Sequence, residues 1–162
     1  MIGAVDDGLY RALMAVHVVM AVAWVGGGLM LTMQAERGRR AGDETEMAKV
    51  ALSADFWAKR VFIPASLVLL ACGLGMVADG HIGFSKPFVD IGLAGWAVSF
   101  VLGAAFLGPQ GAQVGELVTA EGGVVTEACM AKLNRILLVA RVDLVILLLV
   151  IVNMVVKPGG GV

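Results

Sequence analysis

Two charged residues stand near the middle of the last apolar segment of the chain. Arg141 and Asp143 lie in a mostly aliphatic run over residues 133–156. A charge at the centre of a bilayer costs roughly 2.5–3.5 kcal/mol on insertion scales, so neither side chain should face lipid. Two residues apart on a helix, they diverge by about 200° and need separate partners. The pair indicates either a polar clasp between helices or a contact with a substrate, a proton or a cofactor.

His17 is the only histidine within an apolar segment. Such an imidazole can be a neutral side chain bonded to a neighbour, a metal or haem ligand, or a proton relay. At 1.5 Å per residue, His17 and Asp143 are expected to differ by about 9 Å in depth. We predict a cofactor-binding site formed by His17, Arg141 and Asp143, with haem b as one candidate and Arg141 as the partner of a propionate. His81, in the loop 78–87, is a candidate second axial ligand.

Soft metal ligands occur at a similar depth in the first two apolar segments. Thioether, thiol and imidazole groups together suit Cu(I), which makes copper the second candidate. Methionine also fills irregular cores, so ordinary packing is the alternative interpretation. The candidate metal ligands are Met14, His17, Met20, Cys72 and Met76.

The composition indicates an integral membrane protein. Of the 162 residues, 59% are hydrophobic and 15% are charged, whereas about a quarter are charged in soluble domains. The formal net charge of −1 argues against nucleic-acid binding. The chain has no P-loop, HExxH or paired CxxC motif, and its serines have no evident His/Asp partners, so hydrolytic chemistry is not supported.

Four apolar segments are long enough to cross a bilayer, which requires roughly 20 residues each. Lipid offers no partners for backbone polar groups, so each segment is predicted to be a helix. The first segment follows an acidic start without basic residues and is interpreted as a retained helix rather than a signal peptide. The predicted fold is an all-α, four-helix transmembrane bundle, a single domain over 1–162. Its spans are expected at about 9–33, 62–77, 88–107 and 133–156.

The distribution of Lys and Arg predicts the orientation of the bundle. One side carries eight of these residues and the other carries three. The eight are Arg37, Arg39, Arg40, Lys49, Lys59, Arg60, Lys132 and Arg135; the three are Arg11, Lys86 and Lys157. The loops 34–61 and 108–132 are therefore predicted to be cytoplasmic and both termini to lie outside, in a bacterial inner (plasma) membrane.

Both cytoplasmic loops contain apolar residues near helical spacing. The segment 42–59 is predicted to be a short helix at the membrane interface, capped by Asp43, and the loop 108–132 is similar. Glycines within the spans are interpreted as points of close helix approach. The run 26–28 could instead act as a hinge. Glycine faces would also suit a homo-oligomer or a partner within a membrane complex.

The first span resembles the opening helix of a group of membrane proteins, because His17 is followed, seven residues later, by the start of a Trp-x-Gly-Gly motif at Trp24, Gly26 and Gly27. The group includes the CopD copper-resistance membrane domain, the HemJ-type protoporphyrinogen oxidases and a family of predicted integral membrane proteins catalogued as domain of unknown function 2269. The last of these fits best. The likeness continues in Ile63-Pro64-Ala65, Gly73, Phe106-Leu107-Gly108-Pro109, Arg141-Val-Asp143-Leu144 and Met154-Val-Val-Lys157-Pro158.

The resemblance implies four membrane helices and carries over a single site residue, His17. Its HemJ-type members imply haem-linked oxidation, but their Trp-Leu-His-Leu-Lys pattern is absent from 88–96. Its CopD-type members imply copper handling. The predicted function is thus a multi-pass membrane protein of unassigned role with an intramembrane polar site, for which haem-linked redox chemistry is the first specific hypothesis. The alternatives are a copper or small-solute transport or binding protein and an assembly subunit of a membrane complex.

The orientation can be tested with reporter fusions. Alkaline phosphatase fused after Val162 should be active, because the enzyme matures only outside the cytoplasm. Green fluorescent protein fused after Gly122 should fluoresce, because that position is predicted to be cytoplasmic. The opposite pattern at the two positions would overturn the predicted orientation.

Overall fold

Helices account for nearly all of the chain in the computed structural model, which describes residues 3–79 and 84–158. Those two ranges contain no strand, which confirms the all-α prediction. The helices are α1 (Gly3–Ala41), α2 (Glu44–Trp57), α3 (Ile63–Ala78), α4 (Pro87–Val101), α5 (Gly108–Ala120) and α6 (Glu127–Val156). The π-helical segment Ala58–Phe62 joins α2 to α3 without a break, and the segment Leu102–Leu107 joins α4 to α5.

Each predicted span lies inside one continuous helical rod. The described ranges hold four such rods, each long and apolar enough to cross a membrane. With 39 residues, α1 is about 58 Å long at 1.5 Å per residue. The hydrocarbon core of a bilayer is only about 30 Å thick. The bundle is therefore longer than the membrane is thick, and part of it projects beyond the lipid.

The helices predicted within the loops 34–61 and 108–132 are present as α2 and α5, but they continue into the neighbouring spans through the π-helical segments instead of standing apart from them. α1 continues to Ala41, and α2 starts after Asp43, whose carboxylate accepts a hydrogen bond of 3.0 Å from the Glu46 N–H. This contact confirms the predicted cap. α2 packs against α5 and α1 rather than standing alone, and α5 packs against α6. Their shared buried core consists of Met47, Val114, Val118, Val125, Cys129 and Leu133.

The physical reason is the amphipathic pattern of these segments. Apolar side chains at helical spacing on α2 and α5 bury one another, as in a soluble bundle. The turn between α1 and α2 uses Gly42 at a φ of 65°, a left-handed conformation that glycine adopts without steric cost. The outcome is a helical extension at one end of the bundle, which covers the ends of the membrane helices.

Glycines admit side chains from neighbouring helices, as the sequence predicts. The ring of His17 lies against Gly73, and Leu13 lies against Gly75, so α1 and α3 approach closely. Met154 and Val150 of α6 likewise occupy the space beside Gly92 and Gly95 of α4. Small residues allow such approach where the hydrophobic effect does not drive association. The run 26–28 does not interrupt α1, which continues as one helix.

The outer surface of the rods is apolar. Side chains such as Val22, Val145 and Val155 are exposed. A soluble protein rarely exposes a continuous apolar surface of this extent. Lipid contact accounts for it, so the chain is a multi-pass membrane protein in contact with the bilayer.

Replacing Gly95 with alanine should weaken the contact between α4 and α6. A Cβ there would collide with Val150 Cγ2, and the branched side chain of valine has little freedom to move away. We expect Gly95→Ala to lower the melting temperature in detergent, with a destabilisation of about 1–3 kcal/mol. Gly26→Ala is the matched control, because nothing lies within 4 Å of that position. Equal melting temperatures for the two variants would contradict the packing assignment.

Candidate functional site

A cavity of about 160 Å³ lies inside the bundle, between the two π-helical segments. Its deep end is formed by Trp24 and Leu147, which pack together with Ala65. Its other end lies beneath α2 and α5, at Ala54 and Gly111. An apolar cavity of about 150 Å³ is large enough to hold a benzene molecule. The space therefore suits one small organic molecule.

The two π-helical segments shape the wall of this cavity. Ala58 and Phe62 of the first segment, and Gly103 and Leu107 of the second, line it. In each segment the last bond spans five residues, from the Ile63 N–H to the Ala58 carbonyl and from the Gly108 N–H to the Gly103 carbonyl. Single π-helical turns within α-helices occur frequently at functional sites.

A proline directly follows each of these five-residue bonds. Pro64 and Pro109 lack the N–H that would continue the α-helical pattern. In a regular α-helix their rings would also clash with the carbonyl four residues earlier. The wider π turn accommodates that clash without ending the helix. Pro64 thus lies inside a continuous rod rather than at the start of a separate helix. Two prolines inside long apolar helical patterns were the sequence signal for these turns.

Asp143 is the ionisable side chain that lines the cavity. Asp143 is 8% exposed, and its Oδ1 atom has no hydrogen-bond partner within the described residues. Ser99 of α4 is fully buried and also lines the cavity. Its Oγ atom makes no hydrogen bond within the described residues.

The remaining wall is mostly apolar and aromatic. Trp24, Phe62 and Phe100 contribute rings. Phe100 stacks on Trp96 at a centroid distance of 5.1 Å, and the Trp96 indole N–H donates to the Ser66 carbonyl at 3.1 Å. The hydrogen bond connects α4 to α3 beside the cavity. No lysine, arginine or histidine is among the described residues of the lining.

Arg141 points to a different side of α6 and does not line the cavity. Its guanidinium forms an ion pair with Glu36 of α1, which also binds Arg39 at 2.7 Å and Arg40 at 2.6 Å. The side chain of Arg141 is 48% exposed. The predicted divergence of Arg141 and Asp143 is confirmed. The sequence reasoning missed Glu36, although an acidic residue followed by three arginines at positions 37, 39 and 40 was a visible signal.

His17 lies far from both charged residues. Its Nδ1 atom lies 2.8 Å from the Leu69 carbonyl oxygen, to which it donates because a carbonyl can only accept. Leu144 Cδ2 lies 3.8 Å from the position that a Cβ on Gly28 would occupy. Leu144 and Gly28 therefore lie at about the same depth. Asp143 is therefore about twelve residues, or about 18 Å, from His17 in depth. This separation exceeds the expected 9 Å, and His17, Arg141 and Asp143 occupy three separate places.

The predicted copper ligands are spread over several environments. Met20 packs against the Trp24 cluster, whereas Met14 is exposed. Cys72 is a buried free thiol beside Gly73, which the His17 ring contacts. The described ranges contain no group of three or more His, Cys, Asp or Glu side chains placed to hold a metal. Methionine ligation by Met14, Met20 and Met76 stays a prediction, and His81 lies outside the described residues.

Comparison with known proteins found no match: no family model, no curated protein and no solved structure aligns with this chain.

Proposed function

We propose that this membrane protein binds a small organic cation in the cavity beside Asp143, as a binding or transport protein for that solute. One observation carries the proposal. Asp143 Oδ1 and Ser99 Oγ are both buried without a hydrogen-bond partner among the described residues, at the wall of one apolar cavity. Buried polar groups are otherwise almost always paired, so two unpaired oxygens at one cavity suggest a ligand.

The chemistry of the wall selects the ligand. Leaving a carboxylate buried and unpaired is costly, and the lining provides no basic side chain to balance it. An ammonium group would donate hydrogen bonds to both Asp143 and Ser99. The rings of Trp24, Phe62 and Phe100 would attract the same cation through their faces. The volume limits the apolar part of the ligand to about one aromatic ring.

Transport would require the bound cation to leave the cavity and another positive charge to take its place at Asp143. The contact between α2 and α5 covers one end, where a Cβ at Gly111 would stand 3.3 Å from Ala54. Separation of these two helices would expose the cavity beyond the membrane. A proton on Asp143 would replace the departing cation, since ionisable groups within spans commonly mark proton and ion pathways. Cation release would then be coupled to proton uptake.

Removing the charge of Asp143 should weaken cation binding. We expect benzylamine, titrated calorimetrically into the detergent-purified protein, to bind the wild type and to bind Asp143→Asn about 10- to 100-fold more weakly, because a hydrogen bond to a charged group contributes about 1.5–3 kcal/mol. Asp143→Glu should retain part of the affinity. The matched control is Asp90→Asn, an exposed position in the first turn of α4 outside the cavity.

Two further comparisons make this test decisive. Toluene has nearly the same shape as benzylamine but lacks the ammonium group. It should therefore bind to the wild type more weakly than benzylamine does, whereas the two compounds should bind to Asp143→Asn with equal affinity. Wild-type protein that binds neither compound, or an Asp143→Asn variant with unchanged affinity for benzylamine, would overturn the proposal.

His17 supports a second candidate function, haem-linked redox chemistry. Metal-bound histidines usually donate the ring N–H that faces away from the metal to a carbonyl or carboxylate. The bond from Nδ1 to Leu69 leaves Nε2 as the acceptor nitrogen. A haem would supply one-electron chemistry at that position. Arg141 does not fit as its propionate partner, because Arg141 pairs with Glu36 and lies about 21 Å from His17 in depth.

The optical spectrum of the protein tests this second candidate. Protein purified from cells supplied with a haem precursor should show a Soret band that shifts on reduction and is lost in His17→Ala. His17→Ala should leave benzylamine binding unchanged, since His17 does not line the cavity. A colourless wild-type protein would eliminate the haem role, and metal analysis of the same sample would test the copper ligands.

A further inference from the structure

We propose that the groove between α1 and α6, at the end of the bundle near Glu36, binds the phosphate headgroup of an anionic phospholipid. The groove is separate from the cavity beside Asp143, and the proposal does not rest on cation binding. The groove is shallow and open, so a phosphate and its ester substituents have free access to it. Its polar wall is formed by Thr32, Glu36, Arg37, Arg40 and Arg141.

The groove has an excess of positive charge that the protein itself does not balance. Glu36 is its single carboxylate, and this group already pairs with Arg39, Arg40 and Arg141. Arg37 also lines the groove and has no ion-pair partner within the described residues. Three guanidinium groups therefore bind one carboxylate, and a fourth, that of Arg37, lines the same groove. A phosphate would fit this arrangement, because guanidinium groups bind phosphate oxygens bidentately.

The position of Arg141 links the basic end to the membrane. Arg141 belongs to the predicted span of α6, and its side chain extends toward Glu36 near the end of α1. Long basic side chains commonly place the charged group at the lipid headgroup level in this way, with the aliphatic stem among apolar neighbours. The charge of the groove thus lies where headgroups would be found.

Apolar surface continues from the basic end along both helices. On α6, Val145 and Leu148 follow Arg141 at positions i+4 and i+7, and both are exposed. On α1, Leu29 and Met30 precede Met33 at i−4 and i−3, and all three are exposed. Acyl chains would lie along these two rows of side chains. A free phosphate ion would use the arginines alone, so the joint presence of both features favours a phospholipid.

Lipid-dependent stability of the purified protein tests this site. We expect phosphatidylglycerol in mixed micelles to raise the melting temperature of the wild type, and phosphatidylcholine to leave it nearly unchanged. Both Arg37→Gln and Arg141→Gln should weaken the phosphatidylglycerol response, each by about tenfold in apparent affinity. The matched control is Arg60→Gln, since Arg60 lies over the ring of Phe56 and outside the groove.

The outcomes separate the sources of the effect. An equal response to both lipids, or an equal loss in Arg60→Gln, would overturn the proposal. So would an equal stabilisation by inorganic phosphate, which would indicate a free-anion site. If Arg141→Gln fails to fold without its ion pair to Glu36, Arg37→Gln alone decides the matter, because Arg37 makes no ion pair that folding could require.

Discussion

Within the lipid, every polar group has to find its partner inside the protein, and the arrangement of this bundle follows from that constraint. Side chains in the spans satisfy it one by one. His17 donates to the Leu69 carbonyl, the Trp96 indole to the Ser66 carbonyl, and the Asn153 amide to the Phe88 carbonyl at 2.7 Å. These bonds join α1 to α3, α3 to α4 and α4 to α6. They fix the rotation of each helix about its own axis.

Asp143 and Ser99 depart from this rule, and they do so at the same place. Their unpaired oxygens line one cavity whose other walls are apolar and aromatic. In a bundle where neighbouring polar groups are paired, two exceptions at one cavity require an explanation beyond packing. A cation provides one, because it would supply both the missing donors and the missing charge.

α6 separates two roles by helical geometry alone. Asp143 faces the interior of the bundle, while Arg141 turns to the outer groove and reaches Glu36. Residues two positions apart on an α-helix are separated by about 200° around its axis, which places the two charges on nearly opposite sides of α6. A single helix thereby presents an acidic group to a buried cavity and a basic group to the groove beside Glu36. The two sites can be altered by substitution independently of each other.

The local pattern of residues was sufficient for the four spans, the cap at Asp43 and the divergence of Arg141 from Asp143, because each depends on neighbours within a few residues. Even the π-helical turns have local signals, in Pro64 and Pro109.

The partners of the polar groups could not be read from the local sequence. The bonds from His17 to Leu69 and from Arg141 to Glu36 connect residues 52 and 105 positions apart. The placement of Asp143 and Ser99 at the wall of one cavity likewise depends on the register of α6 against α4. That register is set by side chains fitting against Gly92 and Gly95. Apolar helices can slide and rotate past one another with little change in composition, so only the tertiary packing decided which polar residues meet.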